Sequence, residues 1–449
     1  MNKKRTKQHI EHIKKVYTKS DETYMNTYED KADKYVFLNE YDNMNIYTLY
    51  PEMTIFKIPN DIDNKESSYN LDFDSNSDYK RFKYRINKMD NMYIKVKNKY
   101  NEYEKEDKTG FDEYQKLKDK YKGEKINHYF HYHVVDEARA ILKDNTISNA
   151  WLKSYEIYKV FNIVNDFKDK EFYTFHLCEL PGQFIMSLQY YILNNTDKKL
   201  NWIAQSLNPY NASNKKNMKG KYLPDQYDMA KNNADNYDFG HNDTGDITLV
   251  ENIKYYHKKY GKSRHLVTSD CGQDSSEDFA EQEKKLSKVY WGQFVCAIGL
   301  LKKGGNFFMK MFSVHTVKMI ELVYLCSLLF ENVYICKPLK TTFMSGETYM
   351  ICKNFLDIDT DKYVNILCTY IDDFEKKNIV NLDIISDNFI YELDKCNTIM
   401  CMRRLINFNL LIYLTNNFKY YVETNGIKKH IDTIVSYYVN YYIDYYMLK

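Results

Sequence analysis

EFYTFHLCELPGQFIMSLQYYILNN (residues 171–195) reads as one strand, one tight turn and one helix. Its first ten residues are a mainly apolar run with three aromatic rings, broken at Pro181-Gly182, and QFIMSLQYYILNN then repeats apolar residues at helical spacing. The same alternation recurs on both sides. Upstream, NAWLKSYEIYKVFNIVNDF (149–167) suggests an amphipathic helix. Downstream come the strand NWIAQSLNP (201–209), a polar insertion (210–246) and the helix-like ENIKYYHKKYG (251–261). The strand RHLVTSD (264–270), a long helix ending near Leu301, the strand NFFMKMF (306–312), the helix HTVKMIELVYLCSLLF (315–330) and the strand NVYICKP (332–338) follow. TYMICKNF (348–355) is a last strand after a hairpin-like return. Strands alternating with helices predict an α/β protein with a parallel, doubly wound sheet covered on both faces.

The flanks differ from this core. Residues 1–145 are charged, with Tyr, Ile and Met at roughly helical spacing, and read as exposed helices with a thin apolar face. Beyond Leu356 the pattern is again helical, through MRRLINFNLLIYLTNNF to VSYYVNYYIDYYMLK. The expected division is therefore a charged, mostly helical region over 1–145, the α/β domain over 146–356, and a helical appendage over 357–449. At 449 residues the chain is long enough for this. Lys+Arg 64 against Asp+Glu 62 gives no global positive field, so any nucleic-acid binding falls to local patches. The surplus of Tyr, 45 residues, and of Lys, Asn and Ile is what an AT-rich coding sequence produces, so it is background before it is function. Nine scattered cysteines without a CxxC pair suit free thiols in a reducing compartment and suggest no metal site. MNKKRTKQHIEHIKK is followed by no apolar stretch, and MIELVYLCSLLF (319–330) is too short for a bilayer and carries an acid, so neither a secretory signal nor membrane association is expected.

Ligands of doubly wound sheets bind beyond the carboxyl ends of the strands, where Gly182, Asp270 and Lys310 fall. Alone, the Pro181-Gly182 turn has even odds of being only a turn, since GxGxxG is absent. Asp246 in DTGDIT, placed where a neighbouring loop could approach an adenine, and Asp270 at a strand end give it weight. Together they suit a nucleoside-like cofactor with a cationic centre better than a polyphosphate. Lys310 sits among Phe307, Phe308, Met309, Met311 and Phe312, where an ammonium is costly unless paired. One reading is a strand-end lysine reaching solvent. The other is a lysine held by Asp270 and Glu347, its pKa lowered by burial and by Lys153, and aimed at a hydroxyl. Lys337, Lys340 and Lys353 are candidates for phosphate contact, and the tyrosines of the N-terminal region and of YYVNYYIDYY (437–446) for base stacking, against the alternative of solvated faces.

The strings FHLCELPGQFI, WIAQSLNPY, NDTGDIT, LVTSDCGQD, GGNFFMKMF and KPLKTTFMSGETYMICKNF, in this order, resemble the FtsJ/RrmJ-type 2′-O-methyltransferases. The likeness is strongest to the adrift-type branch with the mRNA cap ribose methyltransferases of eukaryotes and large DNA viruses, and covers about 147–355. It implies a Rossmann-like methyltransferase sheet and a tetrad at Lys153, Asp270, Lys310 and Glu347. It implies S-adenosylmethionine held by Cys178, Glu179, Leu180, Pro181, Gly182, Asp246 and Asp270. Lys153 is singled out only by the resemblance, because its helix carries other lysines. One departure stands out: the family often has Gly-Gly after the proline, where this chain has Gly182-Gln183. The expected function is 2′-O-methylation of cap-proximal nucleotides of mRNA, with capping-enzyme subunits as partners and no metal. Other RNAs as substrates, or a degenerate RNA-binding scaffold, are the alternatives. The expected location is the cytoplasm, a viral factory or the virion, with the nucleus left open.

Overall fold

The computed structural model describes residues 53–60, 83–109, 126–218, 225–272, 282–341, 345–356, 358–374, 378–380, 385–416, and 442, 443 and 446. Its centre is a seven-stranded sheet of β1 (Thr54–Ile58), β2 (Glu171–Leu177), β3 (Lys199–Gln205), β4 (Arg264–Ser269), β5 (Leu301–Met311), β6 (Phe330–Lys337) and β7 (Thr348–Phe355), in the order β1-β6-β7-β5-β4-β2-β3. The pairs β2/β3, β2/β4 and β4/β5 are parallel. β7 inserts antiparallel between β5 and β6, and β1 closes the sheet antiparallel to β6. The sheet is thus mixed rather than wholly parallel. Its antiparallel β7 begins at the end where β2, β4 and β5 finish, so the hairpin return brings Glu347 to the carboxyl ends of the other strands. β3 and β4 leave β2 on opposite sides, which makes the crevice between the ends of β2 and β4 the topological switch point.

Strand side chains alternate between faces, and that parity positions the site. Phe307, Met309 and Met311 of β5 enter one apolar cluster with Phe175, Leu177, Val267 and Met350, covered by α6 (Gln282–Leu300) and α7 (Val317–Leu329). Phe308 enters the opposite cluster with Phe172, Leu266, Tyr349 and Ile351, covered by α3 (Asn149–Val160) and α4 (Gln183–Asn195). Lys310 has the parity of Phe308, Asp270 that of Leu266, and Glu347 that of Tyr349. All three therefore turn toward the face on which Lys153 rides in α3. Ser148 starts α3 by accepting the Trp151 N–H, and α3 crosses α4 through the Ser154–Ser187 hydroxyl contact of 2.6 Å and the Tyr158 hydroxyl bond to the Phe184 carbonyl.

The N-terminal region contributes more than helices. β1, from TIFKI, extends the sheet, and α1 (Lys83–Thr109) buries a stripe of Ile86, Met89, Met92, Tyr93 and Val96. α2 (Ile126–Leu142) leads toward α3. α1 packs along α9 (Asp387–Asn416), where Arg85 and Lys88 flank the buried Asp394 at 3.3 and 3.4 Å. α5 (Val250–Tyr260) and α8 (Thr360–Asp372) complete the layer over α6. Tyr442 and Tyr446 are buried, the first bonding the Leu152 carbonyl at 2.9 Å, so these two belong to the core rather than to a base-stacking surface. The rest of YYVNYYIDYY, except Ile443, and most of the N-terminal tyrosines lie outside the described residues. All nine cysteines are free thiols, only Cys178 and Cys271 being part-exposed. No helix among the described residues is long and apolar enough to cross a membrane.

Candidate active site

Four side chains from four elements converge at the carboxyl end of the sheet. Lys310 Nζ lies 2.6 Å from Asp270 Oδ1 and 3.4 Å from the Asp270 carbonyl, and Lys153 Nζ lies 2.6 Å from Glu347 Oε1. The Tyr349 hydroxyl donates to the same Glu347 oxygen at 2.7 Å. Each of the four side chains is less than a fifth exposed. Two lysines and two acids leave the cluster electrically neutral, as burial demands.

The electrostatics correct one expectation. Burial pulls the Lys310 ammonium down, but the charges of Asp270 and Glu347 outweigh it and leave its pKa raised, so the resting lysine is firmly protonated. Burial also pushes the Asp270 carboxyl up, with Lys310 pulling it back. At Glu347 burial is opposed by Lys153 and then Lys310, which, with the hydrogen bonds from Lys153 and Tyr349, bring the pKa down to about 2.

Beside the tetrad lies the turn after β2. Cys178 donates its N–H to Gln205 Oε1 at 3.1 Å, Glu179 donates its N–H to the Gln205 carbonyl at 3.0 Å, and Gln293 donates to Cys178 Sγ at 2.9 Å. Leu180 and Pro181 lead to Gly182, whose φ of +91° lies in the left-handed region and which caps α4. A Cβ there would come within 2.7 Å of Met229 Cγ, on a short helix of the insertion (Met229–Asn232). Glu179 Oε1 accepts the Phe184 N–H at 2.7 Å, while its Oε2 is buried without a partner among the described residues. Burial and the nearby Asp270 push this carboxyl well up. Gln183 is 3% exposed with both amide atoms in the same unpartnered state. Buried polar atoms without partners are costly, about 1–3 kcal/mol each. A helix N-terminus flanked by such atoms fits the amino-acid end of a bound ligand.

The remaining candidates divide. Asp246 Oδ1 accepts the Thr248 N–H at 2.8 Å and its hydroxyl at 2.7 Å, fixing the turn into α5. The phosphate contacts expected of three lysines are not formed by accessible side chains. Lys337 and Lys340 are 6% and 1% exposed, and Lys353 Nζ is held by the Phe161 carbonyl at 2.7 Å and Asp166 at 2.8 Å. Sequence reasoning missed Tyr349, anonymous among 45 tyrosines. It also missed Gln205, which ties the turn after β2 to the loop at Gly245.

A switch-point crevice with a glycine turn on one side and paired lysines and acids on the other lies at the carboxyl end of a mixed α/β sheet in which antiparallel β7 runs beside β5. Residues 146–355 form the part of the chain that matches the model of the FtsJ-like methyltransferase family. It is similar to a probable methyltransferase of African swine fever virus, 30% identical over 53% of this chain and 56% of that protein. It is also similar to the cap-specific mRNA (nucleoside-2′-O-)-methyltransferase 2 of Danio rerio, 31% identical over 49% of this chain and 30% of the other. An uncharacterized protein of Acanthamoeba polyphaga mimivirus is 30% identical over 58% of this chain and 32% of its own length. The chain thus spans about half, or a third, of the relatives it matches.

Proposed function

We propose that the chain transfers a methyl group from S-adenosylmethionine to a ribose 2′-hydroxyl of RNA, on cap-proximal nucleotides of mRNA. The observation that carries the reading is the pair of buried lysines, each 2.6 Å from its own acid, beside the unpartnered polar atoms of the Gly182 turn. Glu179, Gln183 and the α4 N-terminus would hold the amino-acid end of the cofactor, and Asp246 and Asp270 would border its nucleoside. When bound, the cofactor supplies an electrophilic methyl group on a cationic sulfur.

The chain's own residues supply alignment and a proton acceptor. Lys153 and Lys310, held by Glu347 and Asp270 at 2.6 Å each, would orient the ribose hydroxyl for in-line attack. Lys310 is held protonated by its acids, so it becomes a base only when further positive charge enters the neutral cluster and lowers its pKa. With its own proton first released to solvent, Lys310 would accept the ribose hydroxyl proton as that oxygen takes up the methyl group. RNA as the substrate class and capping-enzyme subunits as partners belong to this proposal, as does action in the cytoplasm or a viral factory. The cap-proximal position draws support from the Danio rerio relative.

The test is methyl transfer from labelled S-adenosylmethionine to capped and uncapped RNAs of equal sequence, with nuclease mapping of the product. Label on the first or second cap-proximal ribose of the capped RNA alone is the expected result. Equal labelling of both RNAs would remove the cap from the proposal, and label on a base would remove the ribose.

A further inference from the structure

Lys337 ends β6 at the catalytic end of the sheet, and its burial takes it away from solvent. Its Nζ donates to the Ser345 carbonyl at 2.6 Å and to the Glu347 carbonyl at 3.1 Å. Ser345 in turn accepts the Glu347 N–H on its Oγ at 3.1 Å. Gly346, between them, is packed from the other side: a Cβ there would lie 3.2 Å from Arg404 Nη1 of α9 and 3.2 Å from the Phe312 carbonyl. Residues 345–347 are thus gripped by one buried ammonium, one hydroxyl and the packing of α9.

A buried ammonium is an expensive way to satisfy backbone carbonyls, because its hydrogen bonds must first offset its loss of hydration. Its position shows what it secures. Glu347 precedes β7 and lies one residue beyond its ladders, whose last pairs are Met311 with Thr348 on β5 and Cys336 with Tyr349 on β6, so its own backbone is paired by neither strand. Its carboxylate must nevertheless meet Lys153, which approaches from the helical layer, within a hydrogen bond. We infer that Lys337 is a positioning residue for Glu347, fixing the 345–347 backbone so that the carboxylate meets Lys153 and Tyr349 and thereby aims Lys153. This rests on the methyl-transfer reading above.

The test is a double-substitution cycle in single-turnover methyl transfer, with Lys337→Met, Lys337→Gln, Glu347→Gln and their combinations in the full chain. Lys337→Met should lower the transfer rate by at least about tenfold, because small misplacements of an aligned group are costly. The KM for S-adenosylmethionine should stay within about twofold of wild type, as for an interaction made only in the transition state. Lys337→Gln, whose amide can still donate to both carbonyls, should recover part of the loss. In the Glu347→Gln background Lys337→Met should cost less than about twofold, since residues acting through one another are not additive. Full multiplicative losses, or a raised KM for RNA at unchanged rate, would overturn the inference and leave Lys337 a structural or an RNA-binding group. If the methionine variant does not fold, the cycle is read with Lys337→Gln, where multiplicative losses would overturn the inference in the same way. A wild-type chain that transfers no methyl group sinks the methyl-transfer reading and this inference with it, an outcome distinct from additivity in an active enzyme.

Discussion

At Lys310 two demands collide: a buried lysine must be paired to be tolerated, and a base must be free of its proton to act. Asp270, 2.6 Å away, meets the first demand, and the neutral balance of the cluster leaves room for the second when a cation arrives. Lys310→Ala should therefore lower methyl transfer by roughly 10²–10⁴-fold, the usual contribution of a positioned acid or base. Binding of S-adenosylhomocysteine, measured by calorimetry, should remain, because the Gly182 turn is untouched. A variant that keeps more than a tenth of the activity would mean that Lys310 only supports the fold. Such residues differed in how legible they were. Lys310, Asp270 and Glu347 each stand at the edge of an apolar strand, where a charge is conspicuous. Lys153 lies on a helix with Lys159 six residues on, so only resemblance picked it out. Lys337 was legible as a charge at a strand end and misread, because nothing in the string KPLK tells a lysine facing solvent from one turned onto a neighbouring turn.

Among the elements, the strand-turn-helix over residues 171–195 and the alternation after it were readable because each strand is an apolar run bounded by polar turns. β1 was not, because TIFKI is five residues long in a charged region, and its pairing with β6 joins positions some 280 residues apart in the numbering. The grip of Glu283 on the turn after β5 was equally hidden. That fully buried carboxylate of α6 accepts the Thr316 N–H at 2.8 Å and hydroxyl at 2.7 Å and the His315 N–H at 3.1 Å. The Gly182 turn is the element most open to a test. An alanine there must adopt a φ of +91° and place its Cβ 2.7 Å from Met229 Cγ. Gly182→Ala should destabilise the chain by about 1–3 kcal/mol, the cost of a non-glycine residue in that region, read as a lowered urea midpoint, and should weaken S-adenosylhomocysteine binding. Adding Met229→Ala should relieve the clash and return only part of the stability, since the backbone strain remains. Full recovery would assign the whole effect to the side-chain clash, and no loss in the single variant would show that the turn relaxes freely.

The whole molecule is organised by the parity of its sheet: one face carries the larger apolar cluster, and the other combines an apolar floor with the tetrad at one end. His176 lies on that second face at the junction of β2 and β4, its ring nitrogens 2.9 Å from the Thr174 hydroxyl and 2.7 Å from the Thr268 hydroxyl. Fully buried, it is kept neutral, burial lowering its pKa from 6.5 to about 3. Above pH 6.5 the imidazole is neutral in both the folded and the unfolded chain, so its contribution to stability is fully present. As the pH falls, the unfolded chain takes up a proton that the folded chain refuses until about pH 3, and stability drains away by about 1.4 kcal/mol per pH unit across that window. Other groups titrate there too: Glu321, pushed up to about 7 by burial, acts in the opposite sense. The clean quantity is therefore the difference between wild type and His176→Gln, which can hydrogen-bond but cannot titrate. Urea unfolding at pH 7 and pH 5 should show the wild type losing about 2 kcal/mol more than the variant on acidification, on top of a pH-independent packing cost in His176→Gln. Parallel losses in the two proteins would mean that the folded sheet accepts the proton at His176, and that the junction of β2 and β4 beneath the tetrad is open to water.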